Sequence, residues 1–257
     1  MTRPVHACPP RIFGLTPSPL TAEAVAAHLL AHPRDAASGP GLVVTPNIQH
    51  IALLRHDPAL REAYQQAEIV ICDGFPVYYY ARLRGCAVPG RVTGCDVVAA
   101  LFAAPERLAH SRLFCVVDHP DTAAVLAAWA ERHGLADRIA SAIPPFGFER
   151  DGEYCRSLAK AIHDHGTTLL LMGVGAPRSE VFVAHHRHQL PPCWALCIGQ
   201  AIKIALGLIP RPPQLVQRLN LEWLWRLGLE PGRMSRRYVG STIGFLAAIL
   251  ADLRRLR

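Results

Sequence analysis

Asp73 lies in the run EIVICDG (residues 68–74), which places a carboxylate where an apolar strand meets a glycine turn. Partial desolvation at such a junction raises a carboxyl pKa and makes it a usable general base, able to take the proton from an attacking hydroxyl. An aspartate capping a helix that begins near Pro76 is an equally good reading of the same spacing. A second segment, GVGAPRSE (residues 173–180), is built like an anion-binding loop. Gly173 and Gly175 allow close backbone approach, and Pro177 can open a helix whose N-terminus faces an anion, with Arg178 and Glu180 following. The loop is neither a Walker A nor a G-x-G-x-x-G fingerprint, so a plain strand-to-helix turn competes with it. RVTGCD (residues 91–96) adds Arg91 and Asp96, an arginine and an acid that alone read as a structural pair.

These segments need a frame that brings them to one place. Short apolar runs alternate with helical patterns up to residue 208. The spacing predicts strands over Arg11–Leu15, Gly41–Thr45, Glu68–Cys72, Arg112–Val117, Arg138–Ile143, Thr167–Met172 and Trp194–Ile198. Helical spacing runs over Thr21–Leu30, Pro58–Gln66, Thr122–Arg132 and Glu153–His165. This alternation predicts an α/β fold, a Rossmann-like and mostly parallel sheet with helices on both faces. Ligands of such sheets bind beyond the C-terminal strand ends. Five of these ends carry polar or glycine residues: Thr45 and Asn47, Asp73 and Gly74, Asp118 and His119, the 173–180 loop, and Gly199 with Gln200. They mark a site.

The C-terminal segment is different in kind. From Arg211 to Arg257 there are nine arginines, no lysine and three acids, so this segment holds six of the chain's seven net positive charges. IPRPP (residues 209–213) reads as the boundary between an α/β body over 1–208 and a helical, arginine-rich appendage over 209–257. Helical spacing covers Leu219–Leu229, Pro231 breaks it, and Val239–Leu253 forms a second apolar helix bracketed by Arg236 and Arg237 before it. Trp223, Trp225 and Tyr238 interleave with Arg226, Arg233, Arg236 and Arg237. Aromatic rings favour the membrane–water boundary and arginines favour phosphate. A helix lying in the interface or docked on the body fits this pattern, and no apolar run is long enough to span a bilayer. The N-terminus has no apolar run suited to a signal peptide, and the eight scattered cysteines suit a reduced compartment. His185, His186, His188, Cys193 and Cys197 match no zinc spacing and read as a surface helix followed by a core strand.

In order along the chain, TPN at 45–47, D-P-x-x-x-x-A at 57–63, the strand and DG at 69–74, R-x-x-G-x-D at 91–96, G-x-G-x-P-R-x-E at 173–180, R-x-P at 211–213 and the LEWLWRL…RRY block at 221–238 resemble the WecG/TagA/CpsF family of bacterial glycosyltransferases. The resemblance implies inverting, metal-independent transfer of a hexose from a UDP-sugar to a polyprenyl-diphosphate-linked sugar, at the cytoplasmic membrane face. It implies Asp73 as the catalytic base with Thr45 beside it, and an arginine-rich appendage that reaches the membrane and completes the site. Thr45, Asn47, Arg91, Asp96, Gly173, Gly175, Pro177, Arg178, Glu180, Gln200 and Arg211 are then the substrate-binding candidates. Trp223, Arg226, Arg233, Arg236 and Arg237 are the candidates for lipid diphosphate or membrane. The expected partners are the UDP-sugar, the lipid-linked acceptor and an anionic membrane surface. No cofactor, metal or nucleic acid is expected, and homo-oligomer formation is left open.

Ser179, Gln200 with Lys203, and Val117–His119 depart from the family pattern around the donor pocket, and Lys203 is a candidate to pair with Asp118 or with a donor phosphate or carboxylate. Those departures motivate a rival reading, a catalytically silent member that binds lipid-linked sugar as a scaffold. A nucleotide-cofactor oxidoreductase is a third reading, and the missing dinucleotide fingerprint counts against it.

Overall fold

The computed structural model describes residues 10–213, 215–216, 222–229 and 231–254, with only some of the side chains in the last two segments. Six strands form one sheet: β1 Gly41–Val44, β2 Ala67–Val70, β3 Leu113–Val116, β4 Ile139–Ala142, β5 Leu169–Met172 and β6 Trp194–Cys197. The order is β2-β1-β6-β5-β3-β4, and each pairing is parallel. Val44 pairs with Val70 and Cys197, Cys197 with Met172, Met172 with Val116, and Val116 with Ala142. The strands therefore end flush, and whatever follows each of them emerges along one edge.

The strands read as unbroken apolar runs because both faces are covered. Leu42, Val44, Phe114, Val116, Leu170 and Met172 point into one core, while Val43, Leu113, Cys115, Leu169 and Leu171 point into the other. The first core is closed by α2 Ile48–Leu53, α3 Pro58–Gln65, α4 Phe75–Leu83, α7 Gly152–Asp164 and α8 Arg178–His185. The second is closed by α1 Ala22–Ala31, α5 Gly94–Phe102, α6 Pro120–Arg132 and α9 Ala201–Ala205.

One predicted strand is absent from the sheet. Arg11–Leu15 folds back on itself: Ile12 and Leu15 exchange both backbone hydrogen bonds, at 2.9 and 2.8 Å, as an isolated antiparallel bridge. Phe13 and Gly14 turn the corner with φ of 54° and 80°, the positive pair that tight hairpin turns require. Ile12 and Leu15 are buried, so the segment has the apolar content of a strand. It lacks the extended backbone because its glycine turns the chain.

At the C-terminus, α10 spans Glu222–Leu229 and α11 spans Pro231–Arg254. Pro231 separates them as expected, and it also starts α11, because proline in a first turn removes no needed donor. The second helix thus begins eight residues earlier than its apolar pattern, and Arg236 and Arg237 lie inside it. One face of α11 docks on α2. Gly244 makes the approach possible, since a Cβ there would stand 2.6 Å from Ala52 Cβ. Phe245 and Ala248 join the core, and Phe13 lays its ring against Phe245 and Tyr80. Asp252 accepts from the Phe13 amide at 2.9 Å, the Tyr80 hydroxyl at 2.7 Å and Arg84 at 2.6 Å. The opposite face exposes Val239, Ile243, Leu246, Leu250 and Leu253. Among the described residues, no helix is long and apolar enough to cross a membrane.

Candidate active site

A cleft of about 330 Å³ lies along the flush strand ends, and Thr45, Asn47, Asp73, Gly173, Gly175, Arg178, Glu180 and Gln200 all line it. A larger hollow of about 440 Å³ lies elsewhere, against Phe13, Tyr64 and Asp252, and holds none of the candidate residues.

Asp73 does not cap α4. The N-cap is Gly74, and no side chain caps that end. The half-buried Asp73 lines the cleft, with its Oδ2 accepting weakly from the Gly94 amide at 3.4 Å. Two backbone bonds fix its place: its own amide donates to Pro46 at 3.2 Å, and Val92 donates to Cys72 at 3.2 Å. Gly74 lets the neighbouring loop close in, because a Cβ there would meet Asn47 at 3.2 Å. The buried Thr45 donates its hydroxyl to the Cys197 carbonyl at 3.1 Å, tying the end of β1 to the end of β6. Asn47 caps α2 through its Oδ1, which accepts from Gln49 and His50 amides at 2.9 and 3.3 Å.

The 173–180 loop lies at the middle of the same edge. A Cβ on Gly173 would come within 2.9 Å of the Val116 carbonyl, so only glycine leaves β5 this close to β3. Gly175 has φ of 79°, a conformation costly for other residues. Pro177 is the N-cap of α8 and does not line the cleft. Arg178 opens α8 and lines it. Glu180 is 1% exposed, with His50 Nε2 3.7 Å from its Oε1 and no hydrogen-bond partner for its Oε2. Burial pushes its carboxyl up to about 7. The hydroxyl of Tyr64 is buried nearby, and burial and the Glu180 charge together push it well above its ordinary value. Lys203 pairs with Asp118 at 2.7 Å beside the cleft.

Arg91, Asp96 and Arg211 gather in an adjoining hollow of about 530 Å³. Arg91 does not pair with Asp96. It bonds Glu222 of α10 at 2.5 Å, while Asp96 accepts from Thr93 and from Arg211. Burial opposes the Arg91 charge, but the Glu222 bond and the fields of Glu222, Asp73 and Asp96 outweigh it and raise its pKa. Asp96 also closes the capping box of α5. Two ion pairs thus clip the C-terminal segment to the loop that supports Asp73.

His50 and Asp118 line the cleft without having been among the substrate-binding candidates, although Asp118 is one of the polar strand ends. The only signal for His50 is its position three residues after Asn47, that of a capping-box partner. The side chains of Trp223, Arg226, Arg233, Arg236 and Arg237 lie outside the described residues, while their backbones belong to α10 and α11. Among the described residues, no three histidine, cysteine or acidic side chains converge in a metal-binding group.

The sequence model of the glycosyl transferase WecG/TagA/CpsF family matches residues 10–257, taking in the cleft, the clip and both C-terminal helices. The chain belongs to this family. A curated relative is named N-acetylglucosaminyldiphosphoundecaprenol N-acetyl-beta-D-mannosaminyltransferase, from Bacillus subtilis (strain 168). The two are 26% identical over 197 residues, covering 75% of this chain and 72% of the relative. In this WecG/TagA/CpsF glycosyltransferase, the described cleft wall carries the carboxyls of Asp73, Asp118 and Glu180 against a single arginine, Arg178.

Proposed function

We propose that this glycosyltransferase moves a hexose from a UDP-sugar to a sugar carried on a polyprenyl diphosphate, with inversion and without a metal, at the cytoplasmic face of the membrane. The observation that carries this reading is Asp73: a half-buried carboxylate at the flush strand ends that faces a cleft and does not cap α4. The curated relative, whose name describes transfer to a diphosphoundecaprenol-linked sugar, supports the acceptor class.

In the proposed reaction, Asp73 takes the proton from the acceptor hydroxyl as its oxygen bonds to the anomeric carbon. The bond from that carbon to the UDP phosphate oxygen breaks on the opposite side, and UDP leaves with the electron pair. The departing diphosphate needs positive charge and amide donors. Arg178 and the glycine backbone at 173–175 are suited to that, but an acid-rich wall does not neutralise a diphosphate alone. Arg226, Arg233, Arg236 and Arg237 are proposed to supply the balance for UDP or the lipid diphosphate, with Trp223 at the membrane boundary. The clip from Arg91 to Glu222 supports this by holding α10 next to the Asp73 loop.

The test is transfer of labelled sugar from a panel of UDP-sugars to polyprenyl-diphosphate-linked acceptors, with chelator present and Asp73→Asn alongside. We expect one donor to label the lipid fraction and the variant to fall by roughly 10²–10⁴-fold. Equal transfer by the variant would remove Asp73 from the role of base. Binding of lipid-linked sugar without transfer from any donor would favour the scaffold reading.

A further inference from the structure

The loop leaving β4, IPPFGF at 143–148, is the strand exit that the proposed reaction leaves unused. Its Phe146 is 93% exposed, more than any other large apolar side chain among the described residues. Water disfavours such a ring, and a slack loop would fold it away. This loop is not slack. Pro144 and Pro145 precede the ring, Gly147 follows with φ of 82°, and the Phe148 amide donates to the Pro145 carbonyl at 3.1 Å. Phe148 is buried, its ring 5.7 Å from Phe182 of α8 and 6.1 Å from Tyr154 of α7. One turn earlier on α8, the Arg178 guanidinium carbon lies 4.8 Å from the centre of the Phe146 ring. The same helix therefore anchors the root of the loop and sets a cation against its tip, and that cation lines the cleft.

Position along the edge suggests what the ring meets. From β1, which carries Thr45, to β4 there are four strand spacings in the order β1-β6-β5-β3-β4, about 19 Å at ~4.8 Å each. That is comparable with an extended nucleoside-diphosphate sugar. With its hexose beside Asp73 and Thr45 and its diphosphate at Gly173–Gly175 and Arg178, the base falls at the exit of β4. We propose that Phe146 is the stacking platform for the pyrimidine base of the donor, with Arg178 joining this platform to the diphosphate. The proposal rests on the nucleotide-sugar reading above. Because every base has a π-face, such a platform supplies affinity and leaves base identity to other contacts.

Calorimetric titration of the full chain with UDP and with pyrophosphate separates the two ideas. We expect Phe146→Ala to weaken UDP binding about tenfold and to leave pyrophosphate binding unchanged. Phe146→Trp should keep UDP affinity, and UDP should quench its added fluorescence relative to wild type. Equal UDP affinity in Phe146→Ala, or no quenching in Phe146→Trp, would overturn the platform while leaving the donor class in place. Wild-type protein that binds no UDP would overturn both. Phe146 makes no core contact, so either variant is expected to fold.

Discussion

Glu180 lies under the cleft with one carboxyl oxygen facing His50 and the other unbonded. His50 accepts the Asn47 amide through Nδ1 at 3.2 Å, which turns Nε2 toward Glu180. Burial holds the Glu180 proton to about pH 7, whereas in the unfolded chain it leaves near 4.5. A raised carboxyl pKa stabilises the fold fully below the unfolded value, and that contribution is lost as pH climbs through the folded one. Glu180→Gln keeps the neutral shape without the titration. It should match wild type near about pH 4.5 and exceed it at about pH 8 by on the order of 3 kcal/mol, read from denaturant unfolding at the two values. Parallel curves at both values would show that Glu180 ionises normally. The same residue shows what spacing conceals. Glu180 reads as a substrate contact in GVGAPRSE, and it lines the cleft while being almost wholly buried, a burial that spacing does not reveal. Asp73 is the opposite case, a position at which a helix cap and a cleft-facing carboxylate have one sequence pattern and only the neighbouring N-cap separates them.

The 91–96 loop and α10 are joined by charge. The Arg91–Glu222 pair is mostly shielded, with side chains 18% and 20% exposed, so breaking one partner leaves the other poorly solvated. Arg91→Glu and Glu222→Arg should each speed amide exchange over 222–229 and lower sugar transfer. The doubly swapped protein should recover part of both, with a coupling on the order of 1–2 kcal/mol. Additive losses without recovery would mean that the pair does not hold the helix. Six of the seven predicted strands stand in the sheet, since apolar runs bounded by turn residues are a local signal. The seventh fails at Phe13–Gly14, where a left-handed pair reverses the chain and the apolar pattern is blind to it. The start of α11 fails for a related reason: its first turns carry arginines in place of apolar residues, so periodicity reports only the part that packs.

Over the whole molecule, apolar surface is unevenly distributed. The residues Val239, Ile243, Leu246, Leu250 and Leu253 form a stripe on α11 opposite the buried Ser241, Phe245, Ala248 and Asp252. Leu224 and Trp225 on α10 are also exposed, and six of the seven net charges lie in the same C-terminal segment. An apolar stripe beside basic residues suits an anionic lipid surface, where each basic residue contributes ~1 kcal/mol. We therefore predict sedimentation with vesicles containing anionic lipid, weakened by salt and by the combined change Ile243→Ser, Leu246→Ser and Leu250→Ser. Unchanged vesicle binding, together with conversion of a dimer to a monomer, would instead assign the stripe to a second copy of this chain.

Strand order of types, the apolar cores and the basic C-terminal segment are properties of composition and period, which depend on near neighbours along the chain and are written in the sequence itself. The family pattern rests on the same local runs. Tertiary structure decided what those runs leave open: that Asp73 faces a cleft, that Arg91 chooses Glu222 over Asp96, that α11 docks through Gly244, and that Phe146 stands against Arg178. Each joins residues far apart in the chain. Their meeting depends on strand order and helix packing, which arise only once both faces of the sheet are covered.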